Sequence, residues 1–439
     1  MYAGGLVVLS ALSTIQASAQ LEAGARVETR AGEAPIVPGE ASQGMWVNVL
    51  TPGLALALRG GENQLQAGYT PRFLWSFPNA SARPLVLQTF ILDEVYQPTK
   101  RSLWRTHLQA IYGEEDSVAL ALLLPGQATL PSSLKILSVT GTANASWRSS
   151  RLTTLAFQVT ALHRRPIESQ PAPTSATATD VPVSPPAPLL FPLTTETTVS
   201  VAPSLLRTLS RRTRLELTAP VTYYNLRGNG DGSPPASTLV FQPQAAWVND
   251  LSRRNKLRLS AGISYARLLT QGLSTQTTYA NALYPLFKMS LISLLHRTHS
   301  VNVRSEISAE VNYYLDPVLG TAMPRAPLLA SIDASFGPRW SAGAFLNFTT
   351  DVTWTPQAAI QPATGQGLRN GGYPDETVFS AGIPVRYRMG QLLFVELSGR
   401  LTLRAPHLRV PAEYFRWGET EIWAILTLSA ASRFSSGPS

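Results

Sequence analysis

The chain has 439 residues, of which 44% are hydrophobic and 14% are charged, and its formal net charge at pH 7 is +9. Soluble domains carry about 25% charged residues, so the composition is poor in charge for a surface that faces water. The lack of cysteine excludes disulfides and Cys-ligated metal centres, and no stretch beyond residue 20 approaches the about 20 consecutive apolar residues of a membrane-spanning helix.

The first 19 residues have features of an export signal. An apolar stretch around Gly5–Leu12 is followed by Ala17-Ser18-Ala19, a small-x-small sequence typical of a cleavage site. The usual basic region is missing, because the first arginine is Arg26. We predict a signal peptide at residues 1–19 and a mature chain from Gln20; a buried N-terminal strand or helix is the alternative.

Beyond residue 20 the hydrophobic pattern repeats every two residues. Segments 214–223, 256–265, 301–313 and 393–404 each alternate apolar and polar side chains. One apolar and one polar face along a segment is the pattern of a β-strand that separates two different solvents. We count eighteen such segments between residues 21 and 434.

The connections between these segments alternate between short turns, such as Ser210-Arg211, and long loops, such as 114–132. Bacterial outer-membrane barrels have an even strand number, short periplasmic turns and long outer loops. Hydrocarbon offers no hydrogen-bond partner, so only a closed sheet pairs every backbone group there. We therefore predict a closed antiparallel transmembrane β-barrel of about eighteen strands at residues 20–434, with a C-terminal tail at 435–439, in the bacterial outer membrane.

Prolines bear on the strand count and on one loop. Several fall within predicted strands, among them Pro52, Pro71, Pro203, Pro220, Pro243 and Pro384. Each removes a backbone donor, so we expect them at rims or bulges, and sixteen strands is the alternative count. The Pro-, Ala- and Thr-rich segment Pro171–Pro192 predicts an extended outer loop over 165–193; a linker between two domains is the alternative.

Aromatic residues lie mostly near the ends of the predicted strands, among them Trp46, Trp147, Trp340, Tyr387 and Trp423. Amphipathic rings at strand ends fit the interfacial girdles of membrane barrels. Core aromatics of a soluble β-sandwich are the alternative interpretation.

The sequence gives little support for catalysis. None of its five histidines belongs to an HExxH motif, and no GxSxG or Walker-type sequence occurs. His296 and His299 flank a predicted turn, and Asn229–Gly232 lacks the carboxylates of a calcium site. We predict no enzymatic activity, no cofactor and no metal site; a Ser/His constellation assembled from distant strands is the alternative.

The polar side of each predicted strand identifies the lumen. With that side facing inward, the predicted pore-lining charges are Arg72, Arg105, Arg214, Arg258, Arg304, Arg386, Arg400, Arg404, Glu216, Glu306, Glu310 and Glu396. Fixed positive charge along a pore concentrates anions, and arginine presents a planar fork to carboxylate or phosphate. We expect at least half of the arginines to pair with lumen glutamates, and the surplus favours anionic solutes.

The predicted turns are also basic. They carry Arg59, Lys100, Arg101, Arg148, Arg151, Arg211, Arg212, Arg253, Arg254, Arg297, Arg339 and Arg388. This rim could contact lipid phosphates or an acidic partner, or keep the turns hydrated. We predict no nucleic-acid binding, because no helix or ribbon concentrates these charges.

The stretch Thr51–Gly60, followed by Leu65 and Gly68-Tyr69, resembles the early hairpin of β-barrel porins associated with exopolysaccharide secretion. The resemblance covers about two strands. It implies an eighteen-strand channel for an anionic or neutral glycan that works with separate periplasmic and inner-membrane components. It transfers no substrate residues, because the shared pattern is structural.

Together these observations predict a channel that contacts outer-membrane lipid and exports a polysaccharide or oligosaccharide, with periplasmic export components as partners. A general diffusion porin with anion preference is the first alternative. A non-transporting outer-membrane scaffold or adhesin is the second, and a soluble secreted two-sheet protein is the third.

Overall fold

The computed structural model describes residues 18–34, 43–77, 84–116, 133–169, 194–228, 236–270, 281–298, 300–315, 322–351, 376–389, 393–406 and 420–436. The strands in these ranges are β1 (Ser18–Ala34), β2 (Gln43–Gly60), β3 (Asn63–Phe77), β4 (Leu85–Thr99), β5 (Ser102–Asp116), β6 (Ser133–Arg148), β7 (Thr153–Ser169), β8 (Thr194–Thr208), β9 (Thr213–Thr218), β10 (Val221–Gly228), β11 (Ala236–Phe241), β12 (Gln244–Asp250), β13 (Asn255–Thr270), β14 (Asn281–Arg297), β15 (Val301–Leu315), β16 (Ala322–Phe336), β17 (Trp340–Asp351), β18 (Glu376–Met389), β19 (Leu393–Pro406) and β20 (Thr420–Ser436). In the same ranges, no helix has the length and hydropathy needed to cross a membrane.

The strands form one closed antiparallel sheet. Neighbours along the chain pair with each other, and β20 pairs with β1 from Ala19↔Ser436 to Glu33↔Ile422. β9 with β10, and β11 with β12, each make one wall strand, because both halves keep a single register with their neighbours. The described strands therefore build an eighteen-strand barrel. This confirms the predicted fold and count, and the sixteen-strand alternative is wrong.

Two neighbouring wall strands are interrupted opposite one another. Ala219-Pro220 separates β9 from β10, and Gln242-Pro243 separates β11 from β12. The amide of Gln242 donates to the carbonyl of Pro220 at 2.9 Å, and the amide of Ile263 donates to that of Pro243 at 3.1 Å. A proline has no N–H to donate, so the ladder loses a bond there while these carbonyls stay paired.

The other strand prolines also lie within the wall. The β2–β3 ladder has no pairing around Pro52 and Pro71, and the β17–β18 ladder has none around Pro384. Pro203 faces the break between β9 and β10. The expectation of rim positions is therefore wrong for these prolines, because a gap in one of the two ladders accommodates the missing donor.

The two faces of the wall differ sharply in exposure. On β20, Leu426 and Leu428 are 42% and 41% exposed, whereas Thr427 between them is 3% exposed. Side chains crowd together on the concave side of a closed sheet and splay apart on the convex side, so the buried set faces inward. The exposed large apolar side chains of the described strands all lie on the other, outward face, as contact with hydrocarbon requires.

Outward aromatics mark both ends of the wall. Trp104, Trp147 and Trp340 are at least 50% exposed beside the short turns, and the Trp340 ring centroid lies 4.4 Å from that of Tyr387. Trp46 is 50% exposed near the opposite end. These positions suit rings that sit at the two membrane interfaces.

Short connections join the strands at one end, and side-chain hydroxyls close several of them. Ser210 Oγ accepts hydrogen bonds from the amides of Arg212 and Thr213 at 3.2 and 3.0 Å. Ser252 and Thr99 accept from the amides two and three residues further on in the same way. Because a hydroxyl closes the turn, the neighbouring basic side chains are not needed for its backbone geometry.

The strand bounds extend past the predicted limits. β1 starts at Ser18, ahead of the predicted cleavage point, and β20 ends at Ser436, inside the predicted tail 435–439. Both extensions are paired, since Ser18 lies opposite Arg59 and Ala19 lies opposite Ser436. β7 runs to Ser169, into the predicted loop 165–193. Residues 1–17 and 170–193 lie outside the described residues.

Candidate functional site

The candidate site is the charged inner wall of the barrel. The register puts the twelve predicted lining positions on the inward side of their strands, with Arg72 on β3, Arg105 on β5, Arg214 and Glu216 on β9, Arg258 on β13, Arg304, Glu306 and Glu310 on β15, Arg386 on β18, and Glu396, Arg400 and Arg404 on β19. Arg404 is placed by its backbone pairing with Val378 alone, and its side chain lies outside the described part.

Four of the eight predicted arginines have a known ion pair with another described residue. The pairs are Arg214 with Asp250 at 3.9 Å, Arg258 with Glu216 at 2.7 Å, Arg304 with Glu306 at 3.3 Å, and Arg386 with Glu396. Glu310 binds a different cation, Lys288, at 2.7 Å. These groups are partly exposed, so each pair adds little stability. Their main effect is to cancel charge along the wall.

Two predicted arginines have no ion pair with any described residue. Arg105 lies opposite Val95 and Asn144, and Arg400 lies opposite Gly382 and Trp423. Both arginines are exposed, and neither has an acidic neighbour directly across the sheet. No described acidic residue forms an ion pair with either guanidinium group, so both groups keep their positive charge on the inner wall.

A buried carboxylate stands on β1. Glu28, 7% exposed, accepts from Arg26 at 2.7 Å and from Arg30. These residues are two apart in sequence, so all three project from the same face of the strand. One carboxylate shared by two guanidinium groups leaves this stretch of the wall with a net positive charge.

Several inward titratable residues were not among the predicted lining residues, namely Arg30, Asp93, His107, Asp250 and Lys288. Asp93 Oδ1 and His107 Nδ1 are 2.6 Å apart. The alternation of inward and outward side chains along each strand was the only signal in the sequence for these residues. It is weak on β14, where Leu286, Ile292 and Leu294 share the inward side with Lys288.

The inner wall also carries an apolar patch, which the predicted polar lumen did not include. Its buried members are Val47, Val49, Leu74 and Trp423, with Leu85 and Ile425 packed against them. Trp423 was expected in the interfacial girdle, and that expectation is wrong. The Trp423 side chain packs against Gly32, where an added Cβ would lie 2.8 Å from the ring, and its buried Nε1 has no hydrogen-bond partner among the described residues.

Comparisons with known proteins bear on the fold. No protein-family model matches the chain, and no curated protein matches its sequence. Among solved structures, the ferric citrate transporter FecA matches with a TM-score of 0.50 at 11% identity, covering 96% of this chain and 67% of FecA.

Two further solved structures match less well. The copper transporter OprC gives a TM-score of 0.48 at 10% identity and covers 95% of this chain and 81% of its own. OccK7 (OpdD) of Pseudomonas aeruginosa gives 0.44 at 10% identity and covers 95% and 99%. At such identities a likeness concerns the fold alone. The chain has the closed-barrel fold of outer-membrane transport proteins, and with its apolar exterior it is a protein of the outer membrane.

Proposed function

We propose that the protein is an outer-membrane channel that passes an anionic or neutral polysaccharide outward, as part of an exopolysaccharide export pathway. The observation that carries this proposal is the excess of positive charge on the inner wall, where Arg105 and Arg400 lack an ion pair with described residues. Unneutralised guanidinium groups attract carboxylate or phosphate substituents along a polymer.

The sugar assignment is supported by the early hairpin. The segment Thr51–Gly60 that resembles secretion-associated porins lies in β2, and Leu65 and Gly68-Tyr69 lie in β3. Leu58↔Leu65 and Ala55↔Gly68 are direct partners in the β2–β3 ladder. Export would in addition use separate periplasmic components that deliver the polymer.

Planar-bilayer recording tests the proposal. The purified barrel should give a steady conductance that a uronic-acid oligosaccharide interrupts, while a neutral dextran oligomer of equal length interrupts it less. The double variant Arg105→Gln/Arg400→Gln should shorten the interruptions. A steady conductance that neither sugar interrupts would contradict the polysaccharide assignment.

A general diffusion porin is the second candidate, favoured by the many lumen charges that neutralise each other in pairs. It predicts conductance without sugar-dependent interruption. A non-transporting scaffold is the third, favoured by the buried inner patch around Trp423. It predicts no conductance from a correctly folded barrel.

A further inference from the structure

An apolar groove of about 600 Å³ opens on the outer, lipid-facing surface. Its lining includes Pro203, Leu217, Ala219, Pro243, Ala245 and Ala261. The groove lies over the break between β9 and β10 and the break between β11 and β12. Alanines and prolines at those positions leave space that longer side chains fill elsewhere on the wall.

A second groove of about 360 Å³ continues the first towards the membrane interface. The two share Leu155, and Trp104, Trp147 and Phe157 line the second. Leu155 is the third residue of β7, and Pro203 is five residues before the end of β8. At about 3.3 Å per residue, these two lining residues lie about 7 and 17 Å along the strands from the turn end, which is within one leaflet of a core about 30 Å thick.

The turns directly beneath these grooves are basic. Arg151, Arg211, Arg212, Arg253 and Arg254 are exposed there, and none forms an ion pair with a described residue. The acidic residue beside them, Asp250, lies on the inward side of β12, 3.9 Å from Arg214. Guanidinium groups without an ion pair to a described residue thus lie at the same end of the barrel as the grooves, with Leu217 of the first groove five residues along β9 from Arg212.

We propose that this surface binds an anionic phospholipid of the periplasmic leaflet, with its phosphate at the turn arginines and its acyl chains in the grooves. A second copy of the chain would bring two arginine clusters together, and their repulsion opposes such a dimer. An acidic protein partner would contact the turns but would leave the grooves to bulk lipid. Only an amphipathic anion matches both surfaces at once.

Native mass spectrometry of the detergent-purified barrel tests the site. Phosphatidylglycerol and phosphatidylcholine with identical acyl chains are offered at equal concentration. We expect the wild-type protein to retain phosphatidylglycerol at least tenfold more than phosphatidylcholine. The variant Arg211→Gln/Arg212→Gln/Arg253→Gln/Arg254→Gln should reduce this preference to less than twofold, because each added positive charge near a lipid headgroup strengthens the attraction.

A matched control removes four other basic charges, in Arg59→Gln/Arg297→Gln/Arg339→Gln/Arg388→Gln, and should keep the preference within twofold of wild type. Filling the groove with Ala219→Phe/Ala245→Phe should lower the retained phosphatidylglycerol while the turns stay intact. Equal retention of the two lipids overturns the proposal, as does an equal loss in the control. If the groove-filled variant retains as much phosphatidylglycerol as the wild type, only the headgroup is bound, and the proposal is also overturned. These outcomes do not depend on what passes through the lumen.

Discussion

We predict that the lumen prefers anions and that this preference depends on the arginines that have no ion pair with a described residue. Arg105→Gln/Arg400→Gln removes two positive charges that have no partner among the described residues. Arg258→Gln/Glu216→Gln removes a pair whose atoms are 2.7 Å apart and leaves the net charge unchanged. The first double variant should lower the chloride-to-potassium permeability ratio, and the second should barely change it.

The size of the effect follows from Coulomb's law. A unit charge about 4 Å from an ion in water contributes about 1 kcal/mol, which is roughly fivefold in local ion concentration. The two opposite charges of an ion pair at the same distance from the ion make contributions that largely cancel each other. We therefore expect a two- to fivefold fall in the permeability ratio for the unpaired arginines, and less than about 1.5-fold for the pair.

Reversal potentials in planar bilayers, measured across a tenfold KCl gradient, give the ratio directly. At 1 M salt the screening length falls to about 3 Å, so the difference between the two variants should shrink. The reasoning is refuted if removal of the neutral pair shifts the reversal potential as much as removal of the two unpaired arginines.

Three further predictions concern other parts of the wall. Glu28→Gln should raise the chloride-to-potassium permeability ratio, because Arg26 and Arg30 lose their shared counter-charge; reversal potentials measure the change. Gly32→Val should lower the free energy of unfolding by about 1–3 kcal/mol through overpacking, since a Cβ there would lie 2.1 Å from the carbonyl oxygen of Ile422; urea unfolding in micelles measures the loss. Ser210→Ala should cost about 1 kcal/mol in the same assay, because two turn amides lose their acceptor.

Each of these variants has a matched control. Glu216→Gln/Arg258→Gln controls for Glu28→Gln, because it removes a carboxylate together with its partner. Gly53→Ala should be tolerated, since its Cβ would meet only Thr70 at 3.5 Å. Ser300→Ala removes a hydroxyl that has no hydrogen bond to a described residue. A control that changes as much as its partner variant would contradict the corresponding argument.

The wall could be predicted from the sequence because each strand separates lipid from water. The alternation at 256–265 predicts that Arg258 points inward, and this prediction needs no knowledge of the neighbouring strands. In the structure, Arg258 lies on the inward side of β13 (Asn255–Thr270). The same local rule gave the eighteen strands and the side on which each predicted lining charge lies. The parity is uninformative where both sides are apolar, as at Trp423 between Ile422 and Ala424.

The sequence by itself therefore determined the inward or outward direction of most side chains and favoured eighteen strands, while the structure excluded sixteen. Closure of the sheet decided which charges meet, since Arg258 on β13 reaches Glu216 on β9 across the intervening β12. It also aligned the breaks at Pro220 and Pro243 and covered Gly32 with Trp423. Direction depends on a two-residue period that is local, whereas partners depend on the stagger between strands that are distant in the chain.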